Sequence, residues 1–470
     1  MGPAATFMRL AMKQGNRVFV HPATRDELVE GKNPDRVRQR LAELAKFQML
    51  DESPISAQLR NQIGPVIPDS NNDRDLRILA ALNANAANFL VSDDAGLHRR
   101  ARRADIGDRV LTLNDAVAML EGLEPTVASP PPMVSPIQSY ALDFDQNIFI
   151  SLRQDYDDFD KWIAKIQGDS DNRDCFVVKD EDDNYAAIAI LKTNEPDCEY
   201  DFIKPVTKIS TFKVGPEFSG NRYGELLLNA VLQSHHDHRV GSAYVEVWGH
   251  HQPLIDFLAT FGYVEAGKSA KGEVVLAKMF GPRDENLPPL EYHVRYGPPA
   301  VSRRANVFAI PIIDRWHDHL FPECIPDSGQ LSLPGFAVSI RPWGNALRKA
   351  YLCNSSSQQI RPGDAILFYR SGFQTVSVVG VVEQTVRSWS PEEVLNLVGG
   401  RTVYGASDIT QLASHSSGVL VVLFRRDRVI APAWTLAELR GNDVLKAPPQ
   451  TVTQVKETGA QWVHQQLAAT

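Results

Sequence analysis

The chain has 470 residues, of which 43% are hydrophobic and 23% are charged. At roughly 150 residues per domain this length predicts about three domains, and the composition excludes a collagenous or wholly disordered chain. The net charge of −8 neither requires nor excludes a nucleic-acid partner, because the local distribution of charge decides that question.

Apolar runs and cysteines indicate the cellular setting. No apolar run approaches the ~18 residues that span a bilayer, so we expect no membrane segment. Arg9, Lys13 and Arg17 precede any sustained apolar run, which differs from the layout of a secretory signal. The four cysteines are too few for a disulfide framework and too far apart for a C-x-x-C pair. These features predict a cytoplasmic location.

Two proline-rich breaks divide the chain. The first, 124–136, interrupts the periodic patterns on either side and favours extended linker conformations. The second, 281–299, combines prolines with scattered aromatic residues and has no sustained period. The predicted divisions are a domain at 1–125, a linker at 126–138, a domain at 139–282, a connecting segment at 283–334 and a domain at 335–470.

In chain order, the N-terminal segment alternates short strands with helices. Strand patterns occur at 17–21, 88–92 and 109–112. Helical patterns occur at 34–47, 73–85, 95–104 and 114–120. Such alternation is typical of a parallel sheet in an α/β fold.

Two phrases of this segment, DLRILAAL (75–82) and FLVSDDAGLHRRA (89–101), resemble the second half of the PIN domain family of metal-dependent ribonucleases. The resemblance implies ligands for Mg²⁺ or Mn²⁺ at Asp75 and Asp94, and further at Glu27. These cations activate water for attack on a phosphodiester.

The resemblance lacks one part. Residues 1–25 contain no Asp or Glu, so the first strand of the family and its carboxylate are missing. We therefore expect a truncated PIN-like α/β/α domain with an incomplete or vestigial metal site, or a true start upstream of Met1. The alternative is that Asp75 is a helix-start charge and that Asp94 caps the next helix.

The middle segment carries the clearest chemical pattern. Strands are predicted at 175–178, 185–191, 208–214 and 243–248. After the third strand, a turn with Gly220 and Gly224 leads into a helix whose apolar residues share one face. Unpaired amides at a helix start attract anions, and glycines let the backbone approach closely. The turn is therefore predicted to bind phosphate.

This order of strand, turn and helix, with the closing FGY (261–263), resembles the GNAT acetyltransferase superfamily over about residues 140–280. The resemblance implies a mixed α/β sheet that binds acetyl-CoA. Its pyrophosphate would lie on the turn, and its pantetheine arm would lie between strands 208–214 and 243–248. The cofactor-binding residues that the resemblance implies are Val214, Ser219, Gly220, Asn221, Arg222, Tyr223, Gly224 and Glu225.

Three positions depart from the family pattern. Ser219 and Arg222 replace the first residue and the middle glycine of [QR]-x-x-G-x-[GA], and Leu258 stands where the usual general-acid tyrosine lies. The motif therefore names no acid. The catalytic candidates by proximity to the expected site are Tyr223, Tyr244, Glu246, His250 and His251, with Glu246 as a general base. For Glu246, a solvent-facing strand position is the alternative.

The charge balance and the histidines of the middle segment argue against two kinds of site, a nucleic-acid site and a metal site. Residues 140–280 contain 14 basic and 24 acidic residues, which predicts poor nucleic-acid binding by this segment alone. His235, His236 and His238 lie at the predicted C-terminal end of the helix, where such groups are favoured. No carboxylate or cysteine spacing supports a metal there.

The C-terminal segment is rich in strand patterns, at 349–353, 375–383 and 418–424, with a helix at 391–398. RPGDAILFYRS (361–371) and VVGVVE (378–383) resemble the PUA-like group that includes ASCH and EVE domains. The resemblance implies a small closed β-barrel that binds RNA or modified bases. Arg348, Lys349 and Arg370 are its candidate RNA contacts; the alternative is that these charges only solvate the barrel.

These parts support three hypotheses. The first is an acetyl-CoA-dependent N-acetyltransferase that acts on an unidentified amine, with RNA or a ribonucleoprotein presented by the C-terminal domain. The second is a non-catalytic RNA-binding or toxin–antitoxin regulator that keeps a ligand-binding GNAT fold. The third is a PIN-type ribonuclease completed by residues upstream of Met1.

Overall fold

The computed structural model of the protein describes residues 3–13, 16–30, 33–121, 134–155, 158–180, 182–218, 222–324 and 346–469. The chain forms two compact units. Unit 1 comprises residues 1–126 and 389–413, and unit 2 comprises residues 127–388 and 414–470.

The helices and strands are numbered in chain order. The helices are α1 (Pro3–Lys13), α2 (Pro22–Val29), α3 (Pro34–Leu44), α4 (Ala57–Ile63), α5 (Asn71–Asn83), α6 (Ala95–Arg103), α7 (Leu113–Glu121), α8 (Ile150–Asp155), α9 (Phe159–Gln167), α10 (Tyr223–Asp237), α11 (Gln252–Thr260), α12 (Pro289–Tyr296), α13 (Asp314–Leu320), α14 (Pro391–Val398), α15 (Ala406–Ala413), α16 (Leu436–Gly441) and α17 (Glu457–Ala469).

The strands are β1 (Phe19–Val20), β2 (Gln48–Met49), β3 (Leu90–Val91), β4 (Val110–Leu111), β5 (Val134–Ile137), β6 (Arg173–Lys179), β7 (Tyr185–Lys192), β8 (Val206–Val214), β9 (Ser242–Val247), β10 (Val264–Lys268), β11 (Val274–Met279), β12 (Val307–Ile312), β13 (Arg348–Cys353), β14 (Ala365–Arg370), β15 (Thr375–Ser388), β16 (Val419–Thr435) and β17 (Thr453–Gln454).

Unit 1 is mainly helical. The predicted parallel pairing occurs between β1 and β2 and between β3 and β4, in two separate two-stranded sheets rather than one. Ser70 and Asp94 cap α5 and α6, because their side chains accept backbone N–H bonds from the first turn. Apolar residues of α4, α5 and α6 form the core. Helices α14 and α15, which sequence patterns place in the C-terminal segment, belong to this unit.

The first sheet of unit 2 has seven strands in the order β10-β11-β9-β8-β7-β6-β5. Its pairs are antiparallel except β8 with β9, which is parallel. The four strands predicted in the middle segment correspond to β6, β7, β8 and β9. Edge strand β5 contains Pro136, a residue that sheets accommodate at an edge because it lacks a backbone N–H.

Both faces of this sheet are covered. Strand β7 is buried along almost its whole length, and its residues alternate between two apolar clusters as the period of a strand requires. Ile188 and Ile190 join an aromatic cluster that includes Phe149, just before α8, and Phe159 and Trp162 of α9. Ala187, Ala189 and Leu191 join the apolar residues of α10 and α11. The resulting layers hold α10 and β8 in fixed positions.

The second sheet of unit 2 has six strands in the order β13-β16-β15-β14-β12-β17. In the part of the chain that the structure describes, β13 and β17 do not pair, so the predicted closed barrel is not found. Strand β17 has only two residues. Strands β15 and β16 are long and their pairing shifts register at three places, where bulges increase the twist. Strand β12 comes from the predicted connecting segment and pairs in parallel with β14.

Lys278 of β11 connects the first sheet with helix α12. Its side chain is fully buried, and its ammonium donates to the carbonyl oxygens of Phe261, Val294 and Arg295 at 2.8, 2.9 and 3.0 Å. Gly262, next to the first of these carbonyls, has φ +84° and allows close approach of the Val294 carbonyl. The segment after β11 is therefore packed onto the sheet.

No helix within the described ranges combines the length and the apolar character needed to cross a membrane.

Candidate functional site

A cleft opens where strands β8 and β9 separate. The two strands pair only at Val206↔Ser242, Thr207↔Ala243 and Lys208↔Tyr244. Beyond these pairs lies a cavity of about 800 Å³, a volume within the range of small-molecule sites. Its walls are the remainder of β8, the end of β9, and residues of α9 and α11.

The cleft exposes strand edges that can bind an extended polar chain. Strand β8 pairs with β7 on one side along 208–214, and β9 pairs with β11 on one side. Because alternate N–H and C=O groups of a strand point to its other side, those of 209–214 and 245–247 face the cleft. Backbone polar groups without a protein partner seek another hydrogen-bonding group. Ser210 is an extra residue in β8, since Leu191 pairs with Ile209 and Ile190 with Thr211.

The start of α10 lies at one end of the cleft. Val214 and Gly224, both predicted to bind the cofactor, line it. A β-carbon on Gly224 would lie 3.6 Å from Phe257 and 3.9 Å from Val214, so a side chain there would enter the space between them. Ser219, Gly220 and Asn221, also predicted to bind the cofactor, lie outside the described residues.

Arg222 and Glu225, two further residues predicted to bind the cofactor, interact with each other. Arg222 has a left-handed backbone (φ 56°), and its guanidinium donates to the Glu225 carboxylate at 2.7 Å. Glu225 is buried, and its other oxygen accepts the backbone N–H groups of Leu347 at 2.6 Å and Arg348 at 3.1 Å. The Glu225 side chain thus joins the start of α10 to the start of β13.

Glu246 lies in the cleft as part of a hydrogen-bonded group. One carboxylate oxygen accepts from the Tyr200 hydroxyl at 2.7 Å and the other accepts from the Lys208 ammonium at 2.5 Å. Burial and then the bond to Glu246 raise the pKa of Tyr200 above its usual range, so this hydroxyl remains protonated. Sequence patterns missed Tyr200 and Lys208 because neither stands in a motif, although Lys208 lies two residues into β8.

The other catalytic candidates occupy different places. Tyr223 begins α10, and its ring packs 6.1 Å from that of Phe218 rather than lining the cleft. Leu258 is fully buried in the core, so the family's tyrosine position holds no acid. The α11 ring that lines the cleft belongs to Phe257. His250 and His251 also line it, with ring centroids 4.2 Å apart.

The three residues implied as metal ligands in unit 1 have separate surroundings. Arg100 donates to the Asp75 carboxylate at 2.6 Å and also bonds Asn72. Burial, opposed by Arg100, raises the pKa of Asp75 to about 6. Asp94 caps α6 by accepting the Leu97 N–H at 2.7 Å, and Glu27 is exposed on α2.

Within the described residues, no three acidic, histidine or cysteine side chains are grouped so as to hold a metal. The predicted Mg²⁺ or Mn²⁺ site is therefore not found there. The physical reason is that the Arg100 guanidinium supplies the positive charge beside Asp75 that a cation would provide.

The candidate RNA contacts are engaged within unit 2. Lys349 is fully buried, and its ammonium donates to the Leu320 carbonyl at 2.7 Å. The Arg348 guanidinium pairs with Glu383 at 2.9 Å. Arg370 pairs with Asp314 at 2.8 Å and Asp318 at 3.1 Å, and its guanidinium lies 4.0 Å from the centroid of the Phe373 ring. RNA binding through these residues stays a prediction.

Comparison with protein families identifies the middle of the chain. Residues 138–263 match the profile described as the acetyltransferase (GNAT) family. This range contains β8, α10, β9 and α11, the elements that form the cleft. This part of the chain is therefore a GNAT acetyltransferase domain. No curated protein matches the chain.

The solved structures that match parts of this chain include two acetyltransferases and an ASCH protein. An acetyltransferase of the GNAT family from Staphylococcus aureus Mu50 is 9% identical, covering 32% of this chain and 99% of that one, with a TM-score of 0.26. A spermidine N-acetyltransferase chimera from Vibrio cholerae is 19% identical over 31% and 92%, with a TM-score of 0.25. ASCH from Zymomonas mobilis is 12% identical over 34% and 94%, with a TM-score of 0.24.

Proposed function

We propose that the protein is an acetyl-CoA-dependent N-acetyltransferase that transfers the acetyl group to an amine within the cleft. The observation that carries this proposal is the separation of β8 from β9 after three residue pairs, which leaves two strand edges facing one cavity. The match of residues 138–263 to the GNAT family supports the same reaction class.

The chain offers groups suited to hold acetyl-CoA. The free edges of β8 and β9 match the amide groups of a pantetheine arm, which donate and accept hydrogen bonds in the manner of a strand. Gly224, at the start of α10, leaves room between Phe257 and Val214. The first turn of a helix also presents unpaired N–H groups to an anion such as a pyrophosphate.

Acetyl-CoA supplies an activated acyl group as a thioester. In direct transfer, the amine nitrogen forms a bond to the acyl carbon, the carbon–sulfur bond breaks, and the amine loses a proton while the thiolate gains one. Glu246 is the proposed base. A carboxylate has about four lone-pair positions, so the bonds from Tyr200 and Lys208 leave it able to accept a proton through a water molecule.

Calorimetry with acetyl-CoA tests the binding step. Gly224→Leu places a side chain in the cleft and should weaken binding at least tenfold, roughly the loss of 1.4 kcal/mol. It should not lower the melting temperature, because leucine is a better helix former than glycine. Gly441→Leu is the matched control, since a β-carbon at Gly441 meets no atom within 4 Å. Absence of binding heat in the wild type would refute the proposal.

A second candidate function is ligand binding without catalysis. Two observations favour it: Leu258 is a buried apolar residue at the position of the family's acid, and both oxygens of Glu246 already accept hydrogen bonds. Labelled acetyl-CoA incubated with the protein and a cell extract separates the two functions. Transfer of label that Glu246→Gln reduces supports the enzyme, whereas binding without transfer supports the regulator.

RNA as substrate or partner stays a separate part of the proposal. It is tested by measuring whether a labelled RNA pool binds the full chain and whether Arg348→Ala weakens that binding. RNA that binds with unchanged affinity to this variant would exclude the predicted contact.

A further inference from the structure

A second cavity of unit 2 lies away from the cleft, at the other end of α10. Its volume is about 730 Å³, a size that accommodates a nucleotide. It is formed by the C-terminal ends of α10, α12 and α17, the segments that precede and follow α12, and part of β16. None of its residues contributes to the site proposed for acetyl transfer.

Among the charged side chains that line the cavity, arginines outnumber acids by four to two. Arg239, Arg283, Arg303 and Arg428 are its arginines, opposed by the carboxylates of Asp237 and Glu285. Arg428 pairs with buried Asp427 at 2.7 Å. In the described part of unit 2, no ion pair joins Arg239, Arg283 or Arg303 to an acid, and all three are exposed. Guanidinium groups without acidic partners attract phosphates and carboxylates.

The attraction of cations to the C-terminal ends of helices does not by itself explain the positions of these arginines. The carbonyl-rich ends of three helices favour nearby cations, and Arg428 meets one of them by donating to the Leu467 carbonyl at 2.8 Å. Arg239 and Arg303 have no such acceptor within the described residues. Arg239 also has a left-handed backbone (φ 51°) just after α10, a position where glycine is favoured. An arginine at this position therefore has a less favourable backbone conformation than a glycine would have.

Two histidines of the cavity wall have unpaired ring nitrogens. His235 is 1% exposed, and both its nitrogens are buried without a hydrogen-bond partner. Burial lowers its pKa to about 3, so the ring is neutral and offers one donor and one acceptor. His464 bonds the Ala305 carbonyl through Nε2 at 3.0 Å, which leaves its buried Nδ1 as an unpaired acceptor. Such groups are normally paired in folded proteins.

The chemistry of the wall defines the class of ligand. Three guanidiniums without acidic partners, of which that of Arg283 also donates to the Phe280 carbonyl at 3.4 Å, call for a phosphate. The neutral imidazoles call for a group with hydroxyl or amino hydrogens. The Tyr292 and Tyr296 rings add buried aromatic surface. We propose that this cavity binds a phosphorylated small molecule of nucleotide size, with its phosphate on Arg239, Arg283 and Arg303 and its hydroxyl or amino groups on His235 and His464.

Calorimetry on the full-length chain tests the ligand class. The probes are adenosine monophosphate, glucose 6-phosphate, adenosine and a short RNA oligonucleotide. At least one phosphorylated small molecule should bind, and adenosine should not. Absence of heat from both phosphorylated probes at millimolar concentration would overturn the proposal. Binding of RNA without binding of either small phosphate would also overturn it, because the partner would then be a nucleic acid.

Variants place the probe in the cavity. Arg303→Ala should weaken binding at least tenfold, the loss of one charge-assisted bond, whereas neighbouring Arg304→Ala should not, because Arg304 is outside the cavity and bonds the Asn286 carbonyl. Equal affinities of these two variants would contradict the assignment. Gly224→Leu should leave binding unchanged; if it abolishes the heat, the probe occupies the cleft and the proposal is wrong.

His235→Phe separates a ligand contact from a packing role. Phenylalanine keeps the ring beside Phe280, whose centroid lies 5.7 Å away, and removes both unpaired nitrogens. The variant should melt at a higher temperature than the wild type and should bind the phosphorylated probe at least tenfold more weakly. A variant that gains stability with unchanged affinity would show that His235 does not contact the ligand.

Discussion

Replacing Glu225 by alanine should release the start of β13 from the start of α10. The wild-type carboxylate is 7% exposed and accepts two backbone N–H groups, from Leu347 and Arg348, as well as the Arg222 guanidinium. Removing it leaves two donors without a partner in a buried position. Each such donor costs about 1–3 kcal/mol, so a combined loss of about 3 kcal/mol is expected.

Hydrogen exchange of the backbone amides measures this loss locally. At 1.4 kcal/mol per factor of ten, the amides of Leu347 and Arg348 should lose about 100-fold of their protection. Glu225→Gln keeps one carbonyl oxygen that can accept both amides and loses the ion pair with Arg222, so its effect should be smaller, about tenfold. Glu265→Ala, at an exposed position of edge strand β10, is the control.

Two outcomes would refute the reasoning. Unchanged protection of the Leu347 and Arg348 amides in Glu225→Ala would mean that the carboxylate does not hold this segment. Equal effects of the alanine and glutamine variants would mean that the charge, rather than the two accepted amides, accounts for the stabilisation.

Three further predictions concern stability. Gly262→Ala should lower the free energy of unfolding by about 3 kcal/mol or more, because its β-carbon would lie 2.0 Å from the Val294 carbonyl oxygen. Thermal unfolding measures this loss, with Gly249→Ala, where the space is open, as the control; equal melting temperatures of the two variants would contradict the prediction. Burial lowers the pKa of Lys349 to about 8. Between pH ~8 and the usual lysine pKa of ~10.4, the unfolded chain therefore binds one more proton than the folded chain, and the free energy of unfolding should rise with pH across that window. Urea unfolding should show this rise in the wild type and its loss in Lys349→Met. Burial raises the pKa of Asp75 to about 6, so folding favours its protonated form and the free energy of unfolding should fall as pH rises from ~4 to ~6. If the free energies of unfolding of the wild type and of Asp75→Asn depend on pH in the same way, this prediction is wrong.

The cleft was predictable because its elements follow one another in the sequence. Strand β8, the glycine turn and α10 are contiguous, and their periods change from two to 3.6 within about 30 residues. The interactions of Glu225 and Lys208 were not predictable in the same way. Their partners lie 122 and 38 residues away, and no local pattern reports which distant backbone or carboxylate a side chain will meet.

Burial of charged residues explains the other differences. Lys349 is a basic residue in a segment with 13 basic and 9 acidic residues over 341–470, so its composition favoured an exposed RNA contact. It lies in β13, whose middle four residues are all buried, and an alternating pattern would have placed only half of them inside. The residues that line the second cavity lie in separate elements far apart in the sequence, so its arginines and histidines form no motif. The closed barrel was expected from strand content alone, which does not determine whether the two edge strands meet.

Because Lys278 binds three backbone carbonyls, the proline-rich segment that follows β11 is not a linker between independent domains. A linker between independent domains would allow them to move apart once the chain is cut. Here the acceptors lie at the end of α11 and in α12, so protease cleavage between 281 and 288 would leave both fragments attached. Separating them would strip a buried amine of its acceptors, a change that an apolar interior strongly opposes.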